Sequence, residues 1–290
     1  MDSFRNGWFT ETGVLNSDYV NISIKYSKLL YSQQSKFQKI LVFDSPKFGK
    51  CLVLDDAIQC TENDEFSYQE SIAFLPLNSH PDPKKVLIIG GGDGGVAREV
   101  LKHPLVEQVT LCEIDEEVVN VSKKFFPSLS CAFDNPKLNV VIEDGTKFVA
   151  NHKNTFDVII CDSSDPIGPA QCLFEQSYYN AMREALKDGG IICCQAESYW
   201  FDLKLVVSMF KMAKQLFKCV EYASISIPTY PAGQIGFLIA CKDKEVNFSE
   251  PLHTFSNKQQ TQMALKYYSA NIHRSSFVLP PFICEALHNC

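Results

Sequence analysis

Carboxylates end one apolar run after another in this chain. Asp93 follows VLIIGGG, Glu113 and Asp115 close VTLCEID, and Asp144 closes LNVVIED. Asp162 and Asp165 follow FDVIIC, and Glu197 closes GIICCQAE. If these runs are strands of one open sheet, each carboxyl end carries an acid at the rim where such sheets bind ligands. A rim of that kind is a receptacle for positive charge. The densest part is DSSDPIGP, where Asp162 and Asp165 sit three residues apart on a loop with proline and glycine, just past a buried strand. Taken singly, the acids have plainer readings. Asp115, before EEVV, is expected to cap a helix, and Asp162 with Asp165 could brace a turn.

The loop VLIIGGGDGG matches G-x-G-x-x-G through Gly90, Gly92 and Gly95, with Glu113 about 20 residues on, where a ribose-binding acid belongs. Two chemistries share that pattern: a pyrophosphate at the helix N-terminus, or an adenosyl sulfonium. Charge separates them. Two unit charges about 4 Å apart interact by about 4 kcal/mol at an effective dielectric of 20, so an ionised Asp93 would offset much of what the helix end offers a phosphate. The loop contains no Lys or Arg, and Arg98 falls a turn into the helix. The ligand expected here is therefore a cation.

The elements that must hold these residues follow from periodicity. Through about residue 66 the chain reads as short β-branched and aromatic runs: YVNISIKYSKLL, FQKILVFDS, GKCLVLDD and AIQCT, with DSPKFG as a hairpin turn. This predicts a small antiparallel β domain over residues 1–66. TENDEFSYQESIAFL predicts a helix leading out of it. From Lys85 apolar strands alternate with amphipathic helices over about 94–103, 115–126, 175–187 and 202–217, and two strand runs, CVEYASISIP and QIGFLIACK, then follow with no helix between them. The fold class expected for residues 67–290 is α/β, a Rossmann-like, seven-stranded sheet of the methyltransferase type with an antiparallel hairpin at one edge.

Bulk properties set bounds. A net charge of -7 and a pI near 5.4, with basic residues at most in scattered pairs, leave no footprint for nucleic acid. No segment reaches the roughly 18 apolar residues of a membrane span, and MDSFRNGWFT lacks the pattern of a secretory leader. A soluble, cytoplasmic protein is expected, with its 12 cysteines as buried, reduced thiols. The six histidines form no metal-spaced cluster, and no local Ser-His-Asp or Cys-His arrangement supports a hydrolase. Trp8, Tyr68, Trp200 and Tyr230 are candidates to line a cation or methylene chain, Tyr230 above all because two prolines flank it.

Together GGGDGG, CEID, EDG, DSSDP.GPA, IPTYP.GQIGF and DEFSYQE resemble the spermidine synthase family of polyamine aminopropyltransferases, from Gly7 to FVLPPF near the C-terminus. The resemblance implies a homodimer that takes decarboxylated S-adenosylmethionine as a co-substrate, without a further cofactor or metal, and putrescine as acceptor. It implies that Gln38 and Gln69 contact the donor, Asp93 its amino tail, Glu113 its ribose, and Asp144 with Gly145 its adenine, with Asp162 also among the donor-binding residues. Asp162 matches the catalytic acid-base residue, helped by Tyr68. Tyr68, Asp162, Ser163, Ser164, Asp165 and Tyr230 would bind the diamine, with Glu197 beside them. Ala97 and Ala196 depart from the family pattern, which commonly has a larger aliphatic residue and a glycine there. The loop from Ser163 to Gln171 is expected to order over bound ligand. Two rivals stay open: an N-methyltransferase acting on a diamine, and a non-catalytic polyamine-binding protein. Spermine or thermospermine synthesis also stays open.

Overall fold

The computed structural model describes residues 3–12, 19–163 and 175–289. Its first seven strands form two small antiparallel sheets. β1 (Phe4–Arg5), β2 (Trp8–Thr10) and β3 (Ser23–Lys25) make one; β4 (Lys28–Gln34), β5 (Lys39–Ser45), β6 (Gly49–Leu54) and β7 (Ala57–Thr61) make the other. The single run expected across Tyr19 to Leu30 is thus two strands in different sheets. The break has a cause in hydrogen bonding, since the Tyr26 N–H donates to the Gly7 carbonyl and the Ser27 N–H to that of Asp44. DSPKFG does turn β5 back on β6, pairing Ser45 with Gly49.

Helix α1 (Glu65–Ser79) runs past the expected end at Leu75 and through Pro76, and nearly every residue of it is buried. A helix covered all round belongs to the core. It packs on the strands Phe156–Asp162, Leu186–Gln195 and Cys219–Ser226 and on the helix Gly95–Lys102.

The chain then alternates as expected: β8 (Lys85–Gly90), α2 (Gly95–Lys102), β9 (Gln108–Glu113), α3 (Glu116–Phe125), the short α4 (Pro127–Ser130), β10 (Leu138–Ile142), α5 (Gly145–Ala150), β11 (Phe156–Asp162), α6 (Gln176–Ala185), β12 (Leu186–Gln195), α7 (Leu203–Leu216), β13 (Cys219–Ser226) and β14 (Gln234–Cys241). The sheet order is β10-β9-β8-β11-β12-β14-β13. The first five of these strands run parallel, and β14 runs antiparallel to both β12 and β13. Successive residues of β8 feed opposite cores: Val86 and Ile88 one face, Leu87 and Ile89 the other. Both faces are covered, which is why the strands read as continuous apolar runs.

After β14 come α8 (Asn257–Gln262), α9 (Ala270–Ser276) and α10 (Pro281–His288), none of which the sequence analysis predicted. Of the ten described cysteines seven are buried, but Cys131 is exposed and Cys219 and Cys284 are half-buried, against the expectation of burial throughout. Among the described residues no helix is long and apolar enough to cross a membrane.

One carboxylate ties the C-terminal segment to the core. Glu70 of α1, 1% exposed, accepts the backbone N–H groups of Lys266, Tyr267 and Tyr268 at 2.8, 2.9 and 2.7 Å. An amide there would turn a donor toward N–H groups that need an acceptor. Glu70→Gln is expected to lower stability by about 2 kcal/mol, measured by urea unfolding at neutral pH.

Candidate active site

The direction of sheet growth reverses at β8, with β9 and β10 on one side and β11 and β12 on the other. A crevice opens at such a point beyond the strands' carboxyl ends. The register sets Gly90 beside Asp162. The two backbones approach so closely that a Cβ on Gly90 would lie 2.0 Å from the Asp162 carbonyl oxygen, and Gly90 holds a φ of +76°. Only glycine satisfies both conditions. The Gly91 N–H donates to that same carbonyl, at 3.2 Å.

Around this junction the acids converge. Asp162, the last residue of β11, accepts the Tyr68 hydroxyl of α1 at 2.7 Å. Asp93 takes the Gly95 N–H at 2.6 Å on one oxygen and the Gln69 amide at 3.0 Å on the other. Glu113, closing β9, accepts the Gly92 N–H at 3.1 Å and the Asp115 N–H at 2.9 Å. Asp144 caps α5 through the Thr146 N–H and hydroxyl, at 2.9 and 2.7 Å. Gly145 follows it, where a Cβ would lie 2.5 Å from the Ile89 methyl. Tyr230 donates to the Gln59 carbonyl of β7 at 2.6 Å, and its ring lies 5.8 Å from that of Tyr68. Glu197, two residues past β12, adopts a φ of +54° and lines the same cleft.

Burial dominates the electrostatics. It pushes the Asp162 carboxyl up from its ordinary range; the Tyr68 hydrogen bond opposes the rise and the charge of Glu113 adds to it. Burial likewise raises Asp93, with the neighbouring Asp162 charge adding to it and the Gly95 N–H opposing. Glu113 rises to about 7, again through burial, despite its backbone hydrogen bonds. Asp144 behaves differently. Partial burial pulls it up, but the Thr146 hydroxyl and N–H outweigh this, and its carboxyl lies below the usual range. Eight acidic residues line the cleft, with no Lys, Arg or His among the described lining residues. Lys147, itself largely exposed, lies 4.0 Å from Asp144 at the edge of the cleft, and Arg98 is held by Glu65 at 2.7 Å and Glu99 at 2.6 Å.

The expected residues Gln38, Tyr68, Gln69, Asp93, Glu113, Asp144, Gly145, Asp162, Ser163, Glu197 and Tyr230 all line this one cleft. Ser164 and Asp165 lie outside the described residues, as does the expected lid beyond Ser163. Trp8 and Trp200 are corrections. Trp8 is 46% exposed on the first small sheet, Trp200 is 57% exposed with its ring against Phe282, and neither lines the cleft. Phe201, next to Trp200, does. Asp115 is the expected cap, accepting the Glu117 N–H at 3.1 Å, but it also takes the Ser35 hydroxyl at 2.6 Å and the Gln38 amide at 3.1 Å. It therefore fastens the second small sheet to α3.

Gln195 was missed. It ends β12 at the cleft, buried, and its side-chain oxygen has no hydrogen-bond partner among the described residues. Its place at a strand's carboxyl end is the one signal in the sequence, and an uncharged amide there does not stand out among the acids of the other strand ends. Gln59 and Ile58 of β7 also line the cleft, brought there by tertiary packing with no local mark.

Residues 65–250 match the family model described as spermine/spermidine synthase domain, and residues 7–62 the one described as spermidine synthase tetramerisation domain. The spermidine synthase of Schizosaccharomyces pombe is 50% identical over 278 residues, 96% of this chain and 93% of that one. The spermidine synthase of Dictyostelium discoideum is 48% identical, over 99% of this chain and 100% of its own. Among solved structures, a spermidine synthase in complex with the transition state analogue AdoDATO superposes with a TM-score of 0.90 at 36% identity, over 99% of this chain and 97% of its own.

The raised carboxyls carry a sign. Asp93 binds its proton more tightly folded than unfolded, so its stabilising contribution is whole below its unfolded pKa of about 4 and is lost as pH climbs to the raised value. Asp93→Asn keeps both hydrogen bonds if Gln69 turns its amide over. The variant's empty form is expected to be more stable than the parent at pH 8, on the order of 2 kcal/mol, with the margin shrinking toward pH 4; thermal unfolding across that range measures it.

Proposed function

Because the chain belongs to the spermine/spermidine synthase family, whose members are aminopropyltransferases, we propose that it moves an aminopropyl group from decarboxylated S-adenosylmethionine to putrescine, yielding spermidine and 5'-methylthioadenosine. One observation carries the substrate assignment: eight acids line a single cleft without a basic side chain among its described residues. The donor holds a sulfonium and an ammonium, and the acceptor two ammonium groups. Bringing four positive charges together requires a wall of this sign.

On this reading Gln38, Gln69, Asp93, Glu113, Asp144 and Gly145 serve the donor. Gln69 and Asp93 take its ammonium, Glu113 its ribose hydroxyls, and Asp144 with Gly145 its adenine. Tyr68, Asp162, Ser163, Ser164, Asp165, Glu197 and Tyr230 serve the diamine. The attacking amine must first lose a proton. With a pKa like that of lysine, near 10.4, making it neutral at pH 7 costs about 4 to 5 kcal/mol. Neighbouring carboxylates increase that cost, whereas the approaching sulfonium and loss of water lower it. Asp162, its carboxyl oriented by the Tyr68 hydroxyl, accepts the proton. The amine nitrogen then attacks the methylene next to sulfur, the carbon–sulfur bond breaks in line, and a neutral thioether leaves.

The same reading includes a cytoplasmic enzyme acting as a homodimer or larger homo-oligomer, decided by sedimentation. A methyltransferase would instead use the donor with its carboxylate intact, an anion brought to Asp93.

Putrescine incubated with each donor and analysed by mass spectrometry is expected to gain an aminopropyl unit from the decarboxylated donor alone; a methyl gain, or no product, would overturn the assignment. Asp162→Asn is expected to reduce kcat by about 10²–10⁴-fold, followed as methylthioadenosine release. Full turnover across the pH range would remove Asp162 from the proton transfer.

A further inference from the structure

Glu197 lies in the left-handed backbone region, with a φ of +54°, which an ordinary side chain avoids unless its surroundings impose it. Two donors converge on its carbonyl. The Tyr222 hydroxyl donates at 2.7 Å and the Gly236 N–H at 2.9 Å. Tyr222 is 1% exposed on β13, and its hydroxyl occupies the space that a side chain on Gly236 of β14 would fill: a Cβ there would lie 1.7 Å from the hydroxyl oxygen. The Ala196 N–H donates back to the Gly236 carbonyl at 2.9 Å. One residue further on, the Ser198 hydroxyl donates to the Gln234 side chain at 2.6 Å. The antiparallel hairpin thus grips the turn after β12 at three successive residues.

We propose that Tyr222, admitted by Gly236, is a positioning residue for acceptor binding: its hydroxyl holds Glu197 in the left-handed conformation that turns this acid to the cleft, where it takes the distal ammonium of a primary diamine. The inference rests on the aminopropyl-transfer reading above for the identity of that ammonium. Tyr222 itself is absent from the residues lining the cleft. Its influence therefore passes through Glu197, and falls on acceptor affinity and not on the donor or on the proton transfer at Asp162.

The test compares Tyr222→Phe, Glu197→Gln and the double variant. Tyr222→Phe is expected to raise KM for putrescine about tenfold while kcat and the donor KM move by less than about twofold. In the Glu197→Gln background the same substitution is expected to change the putrescine KM by less than about twofold. An unchanged KM in the single variant, effects that multiply in the double variant, or a parallel loss in kcat and both KM values would overturn the inference. A crystal structure of Tyr222→Phe answers without turnover: Glu197 leaving the left-handed region supports the proposal, and Glu197 remaining there overturns it. Failure of the parent enzyme to use putrescine would sink the functional reading and leave this structural arm to decide the clamp.

Discussion

Like charges held together out of water are the constraint on which this structure turns. Asp93, Glu113 and Asp162 are each less than half exposed, and the first two are buried. Their carboxyl groups titrate upward because burial favours the protonated form and a neighbouring carboxylate adds to it: Asp162 for Asp93, Asp115 for Glu113 and Glu113 for Asp162. An arrangement of this kind is unfavourable in the empty protein and becomes favourable when a cation enters. The rest of the fold supplies the stability that allows it: a sheet covered on both faces and a helix, α1, buried nearly all round.

Close backbone approach makes the convergence possible. Gly90 and Gly92 let the loop after β8 lie against Asp162 and Glu113, where a Cβ at Gly92 would come within 2.8 Å of the Glu113 carboxylate. The same glycines would suit a pyrophosphate, and the difference lies in charge. Arg98, which could have balanced a phosphate-binding loop from α2, is bound to Glu65 and Glu99 and contributes to the contact of α1 with α2. A glycine loop therefore specifies proximity, and the side chains around it specify the sign of the ligand admitted.

The small sheets are part of the site. Asp115 receives Ser35 and Gln38, and Tyr31 donates to Glu117 at 2.7 Å. On the other flank Asp64 accepts the Thr229 N–H at 2.9 Å and its hydroxyl at 2.6 Å, and Tyr230 reaches the Gln59 carbonyl. These ties lie on either side of the cleft, so its far wall comes from residues before Glu65, and the loop carrying Tyr230 is fixed by a segment more than 160 positions away.

The sequence by itself determined the order of the alternating strands and helices, the antiparallel hairpin at the sheet edge and the acids at the strand ends. These are local facts: apolar runs with period set by burial on two faces, and a ligand rim that any open parallel sheet presents at its carboxyl ends. It also foresaw that Asp115 caps α3, because capping acts over three residues. Only the tertiary structure decided that YVNISIKYSKLL divides between two sheets, that Trp8 and Trp200 stay outside the cleft, and that Gln195 and Gln59 enter it. It alone decided that Tyr222 meets the carbonyl of Glu197 and that Asp115 also fastens the second small sheet. Each of these depends on distant segments meeting in space, a contact with no period and no spacing to mark it along the chain.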